Sequence, residues 1–251
     1  MREGVAQAAE LLASRRRVVV LTGAGISVES GIPDFRSAGG LWTRYPPQDY
    51  ATLHAFRRDP ARVWRMLAEM DAVLDAARPN PGHRALARLE EAGIVEGVIT
   101  QNIDGLHQEG GSRRVVEFHG SNRTLTCLSC GSRFTRAQAR ARGMPPGCDC
   151  ADLLKPDVIF FGEDIPRAAL AEAYRLAGEC GAMLVVGTSA EVSPANEMPW
   201  VARRAGAAVV EVNLEPTSLT GSVTDIFLQG PAGRVLPVLC DAVLAHCSAA
   251  G

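Results

Sequence analysis

No stretch of this 251-residue sequence is apolar for long enough to cross a bilayer, which argues against a membrane-spanning helix. The opening run MREGVAQAAELLASRRR lacks the apolar core and small-residue cleavage site of an export signal; its pattern suits an amphipathic helix leading into a first strand. An excess of one charge sign is missing too. The 26 Lys and Arg are set against 28 Asp and Glu, a formal net charge of -2, so there is no global footprint for nucleic acid or a membrane surface. Internal repeats and low-complexity tracts are absent, and residues 248–251 read as a frayed tail. Seven cysteines without an export signal favour thiols and metal ligation over disulfides, and the expected compartment is the cytoplasm. One further absence is local: after Gly23-x-Gly25, Val28 stands where a dinucleotide fingerprint needs its third glycine, which disfavours an ordinary dehydrogenase.

With 47% hydrophobic residues, the chain can bury a full core, as one large domain or as a large one with a small satellite. Short, continuously apolar runs at 17–21, 97–100, 115–118, 182–186 and 207–212 read as buried strands, and helical periodicity appears at 81–92, 167–177, 194–205 and 233–246. This alternation predicts an α/β fold with a Rossmann-like, doubly wound parallel sheet, whose ligands sit at the carboxyl ends of strands. Residues 38–79 and 121–152 break the pattern. They are expected to form a smaller helical and zinc-binding lobe inserted into a discontinuous dinucleotide-binding domain of residues 1–37, 80–120 and 153–251.

Several polar clusters follow the expected strands. Gly23 and Gly25 permit a turn tight enough to bring backbone N–H groups against a pyrophosphate. Thr100-Gln101-Asn102-Ile103-Asp104 would converge on the same crevice, where amides can grip a carboxamide; on its own the run also reads as an Asx turn. Of five histidines, only His119 combines a strand end with a flanking glycine, a place for a general base, although a solitary histidine is more often structural. Gly187-Thr188-Ser189 offers small residues and hydroxyls for close nucleotide approach, and Asn213 and Glu215 could accept ribose hydroxyls; either group also suits ordinary loop chemistry. Cys127-x-x-Cys130 and Cys148-x-Cys150 supply two close thiol pairs, the ligand set of a closed structural zinc site, with a redox pair or unrelated thiols as alternatives. Cys180, Cys240 and Cys247 read as apolar fillers.

Taken together, GAGIS (23–27), SGIPDFR (30–36), TQNIDGLH (100–107), FHG (118–120), the cysteine pairs, KPDVIFFGE (155–163), GTSAEVSPA (187–195) and VNLEP (212–216) make the chain resemble the sirtuin family of NAD-dependent protein lysine deacylases, over almost its whole length and in the family's order. The resemblance implies an NAD-binding lobe, a small lobe with one structural zinc held by Cys127, Cys130, Cys148 and Cys150, and a cleft for an acyl-lysine peptide. It implies that Gly23, Ala24, Gly25, Ile26, Ser27, Ile32, Asp34, Phe35, Arg36 and Trp42 line the cofactor site. Gln101, Asn102, Ile103 and Asp104 would surround nicotinamide and its ribose, and Gly187, Thr188, Ser189, Asn213, Leu214, Glu215 and Ala232 would hold the adenosine side. The peptide would add as a strand between 158–163 and 191–193, with Ile159, Phe161, Gly162, Glu163 and Val192 at the substrate.

The implied chemistry is attack by the acyl oxygen on C1′ of the nicotinamide ribose, with His119 and Asn102 catalytic and His119 as the base that lets the 2′-oxygen reach the acyl carbon. The products would be free lysine, nicotinamide and O-acyl-ADP-ribose. Family members that prefer anionic acyl groups carry Tyr-x-x-Arg where this chain has Leu67 and Met70, so acetyl or longer apolar groups should be preferred to succinyl. Transfer of ADP-ribose to protein is the rival enzymatic reading. A nucleic-acid-binding zinc ribbon is the rival binding reading, with Arg133, Arg136, Arg140 and Arg142 its only basis. The expected partners are therefore acyl-lysine proteins or peptides, with no specific nucleic acid or membrane, and a monomer is favoured.

Overall fold

The computed structural model describes residues 2–35 and 40–249. In chain order its strands are β1 (Val18–Thr22), β2 (Val95–Thr100), β3 (Val115–Glu117), β4 (Gly120–Cys127), β5 (Arg133–Thr135), β6 (Leu154–Val158), β7 (Ala182–Val186), β8 (Ala208–Asn213) and β9 (Ile226–Gln229). Six of them form one sheet in the order β3-β2-β1-β7-β8-β9, every pairing parallel. Its strand order reverses between β1 and β7, the place where doubly wound sheets open a crevice at their carboxyl ends.

The central strands are apolar at consecutive positions because both faces of the sheet are covered. Val18, Val20, Leu184 and Val210 pack with Leu12, Leu86 and Leu239 from the helices Arg2–Arg15, Pro81–Glu91 and Ala232–Ala249. On the other face, Val19, Leu21, Met183 and Val185 meet Leu176 and Ala202 from the helices Arg167–Glu179 and Met198–Arg204. Each such fully buried valine or leucine contributes about 1.5–3 kcal/mol of transfer free energy. Among the described residues no helix is long and apolar enough to cross a membrane.

A second, antiparallel sheet has the order β5-β4-β6 and rests on a separate core. There Trp64, Met66 and Leu67 of the helix Pro60–Ala76 meet Leu125, Cys127, Ala139, Leu154, Val158 and Phe160, and Trp64 Nε1 donates to the Leu154 carbonyl at 3.1 Å. The strand reading of the sequence did not include β4, β5, β6 or β9. Pro156 interrupts β6, β4 is half polar, and β9 is four residues long, so none offers the apolar run that betrays a buried parallel strand.

The β4–β5 connection and the hairpin before β6 bring the four expected cysteine ligands together. Their Sγ atoms all lie within 4.8 Å of one another, with Cys127 facing Cys150 and Cys130 facing Cys148 at 3.5 Å. Tetrahedral zinc with bonds of about 2.3 Å requires sulfur separations of about 3.8 Å, so the four thiols are positioned to hold a zinc ion. The one-residue spacer between Cys148 and Cys150 is accommodated by a tight hairpin: Cys148 N–H donates to the Asp152 carbonyl at 2.7 Å, and Ala151 takes a left-handed φ of 69°. Elemental analysis should therefore find about one zinc per chain, and a chelator strong enough to strip it should loosen the small lobe and lower the midpoint of thermal unfolding. Metal-free protein with the same midpoint would contradict a structural role.

Candidate active site

The glycine loop after β1 is shaped first by contact with another loop. Gly23 N–H donates to the Val186 carbonyl at 3.1 Å and Gly25 N–H to the Gly187 carbonyl at 2.8 Å, which lays the two strand-end turns against each other. A Cβ on Gly25 would stand 2.7 Å from Gly187 Cα, and one on Gly187, whose φ is 58°, would stand 2.5 Å from the Ile26 nitrogen. No L side chain fits that contact. The chain then continues through two short 3-10 turns, Ala24–Ile26 and Val28–Ser30, in place of a long helix. Asn80 clamps them from behind, its Nδ2 donating to the Ile26 carbonyl at 2.7 Å and to Ser30 Oγ at 2.9 Å.

The amide cluster after β2 meets this loop directly. Asn102 Nδ2 donates to the Gly23 carbonyl at 3.1 Å and to Ser27 Oγ at 3.2 Å, and Ser27 Oγ donates to Asp104 Oδ2 at 2.7 Å. Burial raises the Asp104 carboxyl above the usual range, opposed by the Leu106 N–H and Ser27 hydroxyl that bond it. Gln101 Nε2 reaches across to Thr188 Oγ1 at 2.9 Å, and Asn213 Nδ2 donates to the Thr188 carbonyl at 2.9 Å. The ends of β1, β2, β7 and β8 are thus tied into one rim.

His119 completes the rim from β3. Its Nδ1 lies 3.0 Å from the Gln101 carbonyl, an obligate acceptor, so Nδ1 carries the proton and the lone pair is on Nε2. Burial pushes its pKa below the ordinary histidine value, with the Gln101 hydrogen bond opposing, so the ring is neutral at pH 7. The His119 carbonyl in turn accepts from Ile159 N–H at 2.9 Å, tying the imidazole's backbone to the segment after β6.

Other expected positions lie around this rim. Ala24 and Ile32 are half-buried on the glycine loop; Asp34 and Phe35 carbonyls accept from Leu41 and Trp42 N–H, and the Phe35 and Trp42 rings are 5.0 Å apart. Arg36 lies outside the described residues. Ile103 is half-buried against the small lobe's core. Gly187, Asn213, Leu214 and Ala232 share a cleft with Gly25, while Glu215 is exposed beside it and Ser189 half-buried. Phe161 is 6.3 Å from Trp42, Gly162 turns at a φ of 86°, and Val192 is half-buried, its carbonyl accepting from Asn196 N–H.

Apart from Thr100, which the sequence groups with the amide cluster, and His107 at the end of the same run, the supports behind the rim carry no motif. Thr22 Oγ1 donates to Thr100 Oγ1 at 2.8 Å, Thr100 Oγ1 accepts from Asn102 N–H at 3.1 Å, and Thr22 also bonds His107 Nε2 at 2.9 Å. Burial pushes His107 down to about 3 and its neighbour His83 to about 4, so both are neutral. Glu211, wholly buried in β8, accepts from the hydroxyls of Thr217, Thr220 and Thr224 at 2.5, 2.7 and 2.8 Å and pins the loop that follows Asn213. The available signal was a polar residue inside an apolar strand, as with Thr22, Thr100 and Glu211.

Comparison with known proteins agrees with this arrangement. A family model described as the Sir2 family matches residues 23–194. The "NAD-dependent protein deacylase 2" of Pyrobaculum aerophilum is 52% identical over 236 residues, covering 94% of this chain and 94% of that protein. A solved Sir2 homologue–NAD complex superposes with a TM-score of 0.89 at 40% identity, covering 96% of this chain and 94% of the other. Sir2Af2 bound to a myristoylated histone peptide gives 0.85 at 40% identity, covering 99% and 100%. A match of this extent, on a parallel sheet whose strand ends converge as described, makes this chain a member of the Sir2 family.

Proposed function

We propose that this protein removes acyl groups from lysine side chains at the expense of NAD, passing the acyl group to ADP-ribose and releasing nicotinamide. The observation that carries the reading is the His119–Gln101 hydrogen bond, which ties a neutral imidazole, its lone pair on Nε2, to the segment that carries Asn102 and Asp104 and through them Ser27. NAD, when bound, supplies the ADP-ribosyl acceptor. The protein's own contribution is positional and electrostatic. Asn102, fixed by the Gly23 carbonyl and Ser27, would orient the nicotinamide ribose; Asp104, held by Ser27 and Leu106 N–H, would hold the nicotinamide end; and His119 Nε2 would take the proton from the ribose hydroxyl. The Gly23, Gly25 and Gly187 contact, too close for any side chain, holds the glycine-loop backbone in the tight turn against which phosphates would lie. Residues 38–79 and 121–152 form the bulk of the small lobe in this reading; the separate core around Trp64 and Leu125 supports it, with β6 and Phe160, assigned from the sequence to the larger domain, joining that core.

The acyl group is apolar in this reading. Trp64, Leu67, Met70, Ile103, Leu125 and Val158 line one cavity between the small lobe and the amide loop. The cations at its edge are already matched: Arg136 pairs with Asp71 at 3.1 Å and Asp75 at 3.0 Å, and Arg140 pairs with Asp75. A carboxylate-tipped acyl chain would be desolvated there without an unpaired cation to meet it.

Incubating the protein with NAD and an acetyl-lysine peptide should yield the deacetylated peptide and O-acetyl-ADP-ribose by mass spectrometry; label from NAD accumulating on protein instead would favour ADP-ribosyl transfer. His119→Ala should keep NAD affinity while kcat falls by about 100-fold or more. Because burial lowers the His119 pKa, the neutral base persists below pH 6.5, and the acid limb of kcat/KM should have its midpoint below that value; a midpoint above 6.5 would exclude His119 as that base. Butyryl- and longer acyl-lysine peptides should exceed succinyl-lysine in kcat/KM by about tenfold or more, and faster succinyl turnover would contradict the apolar cavity as the acyl site.

A further inference from the structure

Lys155 is the only lysine in a chain whose other 25 basic residues are arginine. Its side chain is 7% exposed, in a strand that otherwise presents apolar residues to the small lobe's core. An ammonium group has three donors, and the surroundings offer three acceptors: the Val158 carbonyl at 2.9 Å, Glu163 Oε2 at 3.0 Å and the Pro156 carbonyl at 3.1 Å. The Phe160 ring covers it at 4.7 Å. Glu163 Oε2 also accepts from Phe160 N–H at 2.7 Å, so one carboxylate joins the ammonium to the turn backbone.

This clasp bends the chain from Lys155 to Glu163 around a buried positive charge. The bend is tied at two further points, Ile159 N–H to the His119 carbonyl at 2.9 Å and Phe161 N–H to the Ala51 carbonyl at 2.8 Å. The same segment therefore touches the candidate base on one side and the small lobe on the other. A compact ammonium suits three acceptors converging on one point, whereas a planar guanidinium fork does not.

We propose that Lys155 is a positioning residue for the acyl-lysine substrate: through Val158 and Glu163 it holds residues 158–163 in the shape against which the peptide backbone pairs, and so governs peptide affinity without governing NAD affinity. The inference rests on the deacylase reading. It extends that reading to a side chain that touches neither reactant.

Two measurements on the full-length protein test it. In Lys155→Met, the KM for an acetyl-lysine peptide should rise by about tenfold or more with the KM for NAD within about twofold of wild type, and Lys155→Arg, which keeps the charge but not the three-point geometry, should fall between. Peptide KM within about twofold of wild type in Lys155→Met, or both KM values rising together, would overturn the proposal. The second measurement needs no variant: protein labelled with carbon-13 at lysine Cε gives a single side-chain correlation. That signal should move on adding acetyl-lysine peptide and stay put on adding NAD alone, and a signal indifferent to peptide would overturn the proposal. Wild-type protein that does not turn over acetyl-lysine peptide with NAD would instead defeat the deacylase reading, which separates the two failures.

Discussion

The close approach of the β1 and β7 turns is the constraint on which the rest depends. Gly23 and Gly25 donate to the Val186 and Gly187 carbonyls, and Gly187 lies so near Ile26 that any side chain on it would collide with backbone. Because these turns leave neighbouring strands at the switch point, their contact fixes where the Gly23 carbonyl points, and that carbonyl accepts from Asn102. Asn102 bonds Ser27, Ser27 bonds Asp104, and Gln101 bonds both Thr188 and, through its carbonyl, His119. A displacement of one turn would propagate to the imidazole through short, directional bonds whose donors and acceptors have few alternatives.

Buried polar groups serve as supports around this contact, each at a different element. Asn80 grips the glycine loop, Thr22 and Thr100 tie β1 to β2 beneath Asn102, Glu211 pins the loop after β8, and Lys155 bends the segment after β6. At the opposite end of the sheet, Arg17, Arg114 and Arg175 alternate with Glu96, Glu172 and Glu179 in a network of partly exposed ion pairs. Such pairs are individually weak and salt-sensitive, whereas removing one partner from a buried cluster leaves a desolvated group unpaired. The sheet is therefore polar-braced where it meets ligand and charge-braced where it meets water.

What the sequence disclosed follows from the same physics. Runs such as 182–186 were legible because a strand covered on both faces must be apolar throughout, and Ala182–Val186 is the strand found. The antiparallel sheet was illegible because β4 and β6 mix polar and apolar residues and owe their pairing to the small lobe's core and the cysteine cluster. Local pattern does not carry that information. Around the site, Asn102, Asp104 and His119 stood out as polar residues just beyond apolar runs, but their bonding order could not be read, since Asn102 finds the Gly23 carbonyl 79 positions away. Lys155 stood inside a recognisable motif and gave no sign that its charge is turned inward.

Calorimetric titration of Gly25→Ala with NAD, on protein shown by circular dichroism to be folded, tests the central contact most directly. The added Cβ must push Gly187 away, so NAD affinity should fall by about 100-fold or more, about 2.7 kcal/mol. Folded Gly25→Ala protein that binds NAD as tightly as wild type would contradict this expectation.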